Sequence, residues 1–442
     1  MLFLSDRDKI KWVLVTTSIE ETMPDDAPVL FLGEWCKKIN KSESFIDTLL
    51  APDIFNQVKH KNIVYLDELY NRIITILALK LNEKHKVSHS VLYWKRLLGK
   101  WLENFIHSQH FHWKVIKHIE ESYLIKKTYL IRDFEKLLQC KNNMIAEDID
   151  LWLHASFAYI IKNHTNIPYE YIDYNASNFS VTPFLTEENN EISLSRKNKY
   201  LIFLSKIVYK LKLVNKTDTL FLNTSIGFLD QLKTELYCKQ FPLSWLNNAC
   251  QFIEIRDNPQ HENMRNWTFS IDANTDFERF LESSIVHRLP RDVLENYEDI
   301  GYAIQKIPFQ PRPKNIVLGD WPKSRAVLLR WITEKLEESN NSKLTLIQHG
   351  GNFSMDKYHV EKYFLSIADF FLSWGWGEKF NNIVPMFYHK KYYKASGRTT
   401  NDRLTLVSLD IHQMPITYDS FSPSQYKKFL LKDLDQFFKN ID

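Results

Sequence analysis

Between residues 315 and 372, short apolar runs alternate with amphipathic stretches, and this order limits the fold more than any other feature of the chain. Asn315-Ile316-Val317-Leu318, Leu344-Thr345-Leu346-Ile347 and Phe370-Phe371-Leu372 read as strands. Residues 323–338, apolar at 327, 328, 331 and 332, and residues 355–368 read as the helices between them. Strands that are apolar throughout suit a sheet covered on both faces. A strand–helix–strand–helix–strand succession calls for parallel pairing with right-handed crossovers, so the expected class is α/β.

Further strands are expected at Lys11–Thr17, Pro28–Leu32, Asn62–Leu66 and Thr219–Thr224. Residues 67–165 read as helices, with Trp94, Leu98, Trp101 and Phe105 forming one apolar stripe that belongs in a core. Residues 170–200 read as a polar loop, and helical text resumes to about 216. A chain of 442 residues has room for two or three domains.

Charge and cysteine usage narrow the function. With 57 basic and 54 acidic residues the net charge is only +3, so no electrostatic argument favours nucleic acid as a partner. Cys36, Cys140, Cys238 and Cys250 are widely spaced and form no CxxC pair, which fits reduced thiols rather than a zinc site or disulfide framework. No metal and no bound cofactor is expected. No apolar run reaches about 18 residues, and only five residues precede the first charge at the N-terminus. The expectation is a soluble cytoplasmic protein. The chain has no GxGxxG, Walker A, HExxH or GxSxG motif.

Glycine is scarce, with ten in the chain where average usage would give roughly 30. Four of the ten lie in two turns at strand ends: Gln348-His349-Gly350-Gly351-Asn352 and Ser373-Trp374-Gly375-Trp376-Gly377. Ligands of open α/β sheets bind beyond the carboxyl ends of strands, which makes His349 the leading candidate for a general base. Ser354 as an N-cap and Asp356 in the first turn suggest a helix start after Gly351 that would favour an anionic group. Glu361 on that helix is a further catalytic candidate that orients His349 or contacts substrate, and Trp374 or Trp376 offers a stacking face for a sugar or base. At the other end of the chain, Thr17, Glu20, Glu34 and Trp35 follow two of the expected strands. If all these strands share one sheet, Thr17, Glu34 and His349 face one cleft, and Glu34 is then a second candidate for acid/base work. Asp148-Ile149-Asp150 matches a metal-binding DxD but lies in helical text, His107, His110 and His112 read as surface histidines, and His389–Lys394 reads as a solvated basic loop.

These segments together resemble a family of transferases encoded in bacterial O-antigen and surface-polysaccharide loci. The resemblance runs through Thr16–Thr22, Val29–Cys36, His89–Trp94, Gln348–Asn352 and Leu372–Trp376, and covers residues 165–310 only loosely. More distantly, the Gln348-His349-Gly350 turn, the helix after it and the Asp369–Gly375 strand look like those of teichoic-acid glycerophosphotransferases and capsular Kdo transferases. The resemblance implies a GT-B-like fold, with two Rossmann-like domains facing a cleft and no obligatory metal. It makes His349 the base in the acceptor-side domain and carries over no other residue; Thr17, Glu20, Trp35, Gln348, Gly350, Gly351, Asn352, Trp374, Gly375 and Trp376 are the substrate-binding candidates.

On this reading residues 1–66 hold the first strands of an N-terminal Rossmann-like domain and residues 67–216 a large, mainly helical insertion. Residues 217–400 complete that domain. Residues 401–442, with a strand at Leu404–Leu409 and a helix near 422–440, begin a second domain that is incomplete. The implied activity is glycosyl transfer from a nucleotide-activated sugar, such as a CMP-activated Kdo-like or nonulosonic acid, to a glycan or lipid-linked glycan acceptor, with peripheral contact at the inner membrane. The alternatives are a non-catalytic glycan- or enzyme-binding partner and a glycerophosphate-type transferase.

Overall fold

The computed structural model describes residues 10–36, 48–51, 62–139, 150–174, 196–215, 217–243, 264–307, 309–339, 341–350, 353, 361–377, 380–387 and 432–440. The fold is α/β and rests on two five-stranded sheets. In the first, β1 (Trp12–Val15), β2 (Val29–Phe31), β3 (Thr48–Leu50), β4 (Ile125–Ile131) and β5 (Tyr169–Ile172) lie in the order β3-β2-β1-β4-β5. In the second, β6 (Leu220–Leu222), β7 (Asn315–Leu318), β8 (Lys343–Ile347), β9 (Phe370–Trp374) and β10 (Ile383–Met386) lie in the order β10-β9-β8-β7-β6. Every pairing is parallel. Two Rossmann-like sheets of this kind are consistent with a GT-B-like architecture.

The apolar strands behave as their composition requires. All four residues of β1 are buried, as are the last three of β7, because both faces of these strands are covered. The strand–helix alternation is present as β7, α8 (Ala326–Glu338), β8, α9 (Glu361–Ile367) and β9. Val327, Leu328, Trp331 and Ile332 of α8 are all buried.

Three expectations need correction. Asn62–Leu66 is not a strand: α1 (Ile63–His85) begins there, and its buried Leu66, Leu69, Tyr70, Ile73 and Leu77 follow the helical period. The stretch expected to be wholly helical contains β4, which pairs with β1 with Val13 opposite Lys127 and Leu14 opposite Thr128. Its sequence IKKTYLI hides the strand because its amino-terminal half is partly exposed and carries two lysines. The expected polar loop begins with β5, an edge strand exposed along most of its length. The strands at the two ends of the chain therefore do not share a sheet: β1–β3 pair with β4 and β5, and β6–β10 form a sheet of their own. The expected strand at Leu404–Leu409 lies outside the described residues, and residues 432–439 of the expected terminal helix are helical.

The two sheets share one hydrophobic core through α2 (Val91–Ser122), a 32-residue helix about 48 Å long. Ser90 caps it by accepting a bond from the Tyr93 amide at 3.1 Å. α2 touches α1, α3 (Asp150–His164), α6 (Asp276–Arg288), α8 and α9, so it is enclosed on every side. Trp94, Leu98, Trp101 and Phe105 are fully buried, as the stripe predicted. His110 and His112 are also buried and are not surface histidines. Enclosure suppresses their charged form, lowering His110 to about 4 and His112 to about 3. Several buried polar groups of α2 are matched by partners. Lys100 pairs with Glu103 at 3.0 Å, Arg96 Nε donates to the Ile367 carbonyl at 3.1 Å, and Arg288 Nη1 donates to Gln109 Oε1 and Ser156 Oγ at 3.0 and 2.9 Å.

Candidate active site at the carboxyl ends of the second sheet

Four neighbouring strands of the second sheet end in turns at the same edge, and a small open cavity lies among them. The walls come from three strand ends and the helix after β8: Gly319, Asp320 and Trp321 beyond β7, Ile347 and His349 at the end of β8, Phe371 of β9, and Phe353 and Phe364. Trp321 and Phe353 are buried, while Asp320 and His349 are exposed. The His349 ring stands edge-on to Phe353 with centroids 5.6 Å apart, and Phe353 packs on Phe364 and Phe371 at 6.0 and 5.5 Å. The result is an aromatic floor with one imidazole and one carboxylate on the walls. Such a mixture suits a sugar ring, which offers an apolar face and hydroxyls at its edge.

Asp320 was not singled out by the sequence reading. The sign was present, since Gly319 follows the apolar run of β7 just as glycines follow β8 and β9. The structure shows why glycine is needed there. A Cβ on Gly319 would stand 2.1 Å from the Asn223 carbonyl oxygen and 2.7 Å from Thr224 Cα, at the end of β6. Asn223 and Ser225 in that neighbouring turn hold left-handed backbone, with φ of 49° and 59°. Strained backbone of this kind concentrates at functional sites.

The two glycine-bearing turns are held together by Gln348, which is buried. Its Nε2 donates to the Gly350 carbonyl at 2.7 Å. Its Oε1 accepts from the Trp374 amide at 2.9 Å and from the Trp376 indole at 2.7 Å. Ser373 Oγ donates to the Trp376 carbonyl and accepts from its amide. Gly375 takes left-handed backbone with φ +88°, which a side chain would resist. Gly350 has no left-handed φ and, among the described residues, no atom within 4 Å of where a Cβ would stand.

The expected site residues therefore fall into groups. His349 lines the cavity, and Gln348, Gly350, Trp374, Gly375 and Trp376 form the braced wall beside it. Glu361 is buried at the start of α9 and is not among the residues lining the cavity. Gly351, Asn352, Ser354, Asp356 and the His389–Lys394 segment lie outside the described residues.

Thr17, Glu20, Glu34 and Trp35 belong to the first sheet. Thr17 is fully buried just beyond β1, and Glu20 is exposed in a 3₁₀ turn (Glu20–Thr22). Trp35 lies in a second 3₁₀ turn (Glu34–Cys36) beyond β2 and donates from Nε1 to the Thr16 carbonyl at 3.0 Å. Glu34 starts that turn, and its side chain is outside the described part. Asp150 opens α3 and accepts a bond from the Ser18 hydroxyl. Asp148, its partner in the DxD pattern, lies outside the described residues.

Among the described residues no helix is long and apolar enough to cross a membrane. No group of three or more His, Cys, Asp or Glu in that part could hold a metal ion. No curated protein and no solved structure matches the chain. A family model does, over residues 12–442, nearly the whole length and both sheets, and the chain thus belongs to the LIC12162 family of transferases.

Proposed function

We propose that this transferase moves a glycosyl group from a nucleotide-activated sugar to a hydroxyl of a glycan or lipid-linked glycan, with His349 as the general base. The observation that carries this reading is the second-sheet cavity, where an exposed imidazole and the Asp320 carboxylate stand over an aromatic floor at the carboxyl ends of adjacent parallel strands. As the acceptor oxygen bonds to the anomeric carbon, its proton passes to a ring nitrogen of His349. The bond from that carbon to the nucleotide phosphate breaks, and the electron pair leaves with the phosphate. Asp320 accepts hydrogen bonds from sugar hydroxyls, and the turns braced by Gln348 hold the walls in place. The likeness of the Gln348-His349-Gly350 turn to that of Kdo transferases supports a CMP-activated Kdo-like or nonulosonic acid as donor. Work on a surface polysaccharide or lipopolysaccharide would place the protein at the inner face of the cytoplasmic membrane.

The test is transfer activity over a panel of nucleotide sugars that includes CMP-activated 2-keto acids and CDP-glycerol. His349→Ala is expected to lower turnover about 100-fold or more while leaving the thermal midpoint in place. Near-normal turnover removes the base assignment. Turnover of CDP-glycerol alone replaces glycosyl by glycerophosphate transfer. Glycan binding without any nucleotide binding replaces the enzyme by a binding partner.

A further inference from the structure

Strand order treats the two sheets differently. In the second sheet β6 to β10 follow one another in sequence, whereas in the first the order reverses at β1 and β4. The chain leaves β1 toward β2 on one side, and β4 continues toward β5 on the other. Connections that leave neighbouring strands in opposite directions open a crevice beyond their carboxyl ends, and open α/β sheets bind ligands at such a point.

What lies there is rich in hydroxyls and negatively charged. Beyond β1 come Thr16, Thr17 and Ser18, then Glu20 and Glu21, both exposed. Ser18 donates its hydroxyl to Asp150 at the start of α3. Thr17 Oγ1 is buried without a hydrogen-bond partner among the described residues, although buried hydroxyls almost always have one. Tyr174, just past β5, packs against the buried cluster of Ile19, Ile131 and Leu151, in which Ile19 and Leu151 are the chain neighbours of Ser18 and Asp150. Its phenol is pushed up to about 12 by burial first and then by the charges of Glu21 and Asp150. Among the described residues, Arg132 pairs with Asp173 at 2.7 Å and Lys136 with Asp133 at 3.0 Å. Trp35 supplies an aromatic face on the β2 side, and its indole is tied to the Thr16 carbonyl.

Carboxylates and hydroxyl oxygens accept hydrogen bonds from neutral hydroxyls, but they repel phosphate. We infer that the crevice between β1 and β4 is a binding site for a neutral, polyhydroxylated saccharide, held by Asp150, Ser18 and the rim carboxylates against Trp35, and that it excludes nucleotides. The inference rests on the transferase reading, in which the acceptor is a glycan.

Fluorine-labelled tryptophan in the full chain, with the Trp35 resonance identified by Trp35→Phe, provides the test. The probes are the methyl α-glycosides of glucose, galactose and mannose, with CMP and UMP as anions. At least one glycoside is expected to shift the Trp35 resonance saturably while neither nucleotide moves it. Asp150→Asn keeps the shape of the side chain and is expected to weaken the glycoside about ten-fold. Should that variant not fold, Ser18→Ala leaves the start of α3 intact and carries the same expectation. A Trp35 resonance untouched by all three glycosides, one shifted by a nucleotide, or undiminished glycoside affinity in the variants overturns the inference. None of these outcomes touches His349, whose role is read from turnover.

Discussion

Gln348 offers a sharp test of how the candidate site is built. Replacing it with Leu keeps the volume and removes three hydrogen bonds, to the Gly350 carbonyl, the Trp374 amide and the Trp376 indole, at 2.7, 2.9 and 2.7 Å. The indole and the Gly350 carbonyl lie on partly exposed residues, so water recovers some of the loss there. The Trp374 amide is at the end of β9 behind the buried Gln348 and has less recourse. A stranded donor costs about 1–3 kcal/mol, and a value near 2 kcal/mol corresponds to roughly 30-fold in the local opening equilibrium. The assay is amide hydrogen exchange followed by mass spectrometry on peptides covering residues 370–377. Exchange at Trp374 is expected to quicken by about that factor, with little change in β1 or β4. Unchanged exchange at Trp374 would refute the idea that one carboxamide braces both turns. Gln348→Glu separates the contributions. It keeps the acceptor for Trp374 and Trp376 but sets a carboxylate oxygen against the Gly350 carbonyl, so its effect should concentrate in the first turn.

Two further predictions concern the frame behind the site. His154 is fully buried, and its Nε2 accepts from the Ile131 amide at the end of β4 at 3.1 Å. Burial lowers His154 to about 4 and His112 to about 3, so the unfolded chain takes up protons first as pH falls. Their stabilisation is complete above about pH 6.5 and is lost toward pH 4 and 3, at a few kcal/mol for each group. Urea unfolding at about pH 7 and about pH 5 measures it, and equal stability at the two would contradict the assignment. Gly99 lies inside α2, where Ala would ordinarily gain about 1 kcal/mol in helix propensity. Here an added Cβ would meet the Tyr70 hydroxyl at 2.5 Å and Tyr363 Cε2 at 3.0 Å, and both rings are buried. Overpacking costs about 1–3 kcal/mol, so Gly99→Ala is expected to lower the thermal midpoint. A higher midpoint would show that the tyrosines move aside freely.

Within the second sheet β7, β8 and β9 were legible in the sequence because they are mainly apolar runs separated by helices of clear period, whereas β10, a short edge strand, was not expected. The first sheet was half hidden. β4 carries two lysines, β5 is a mostly exposed edge, and the opening of α1 mimics a strand because Ile63, Val64, Tyr65 and Leu66 are consecutive. His349 and the tryptophan turn stood out through rare glycines at strand ends. Asp320 did not, because a single acid after one glycine carries no pattern of its own. The polarity of α2 misled in a similar way, since residues that look solvated from local sequence are buried when helices close in from every side.

What the sequence determined by itself is local: the α/β class, the apolar strands, the amphipathic helices and the places where the backbone turns beyond a strand. What only the tertiary structure decided is which strands pair. Hydrogen bonding between strands joins segments more than 90 residues apart, β1 with β4 and β6 with β7, and apolar periodicity carries no label for a distant partner. That pairing turned one expected cleft into two separate strand-end regions, with His349 and Asp320 on one and Ser18 and Asp150 on the other.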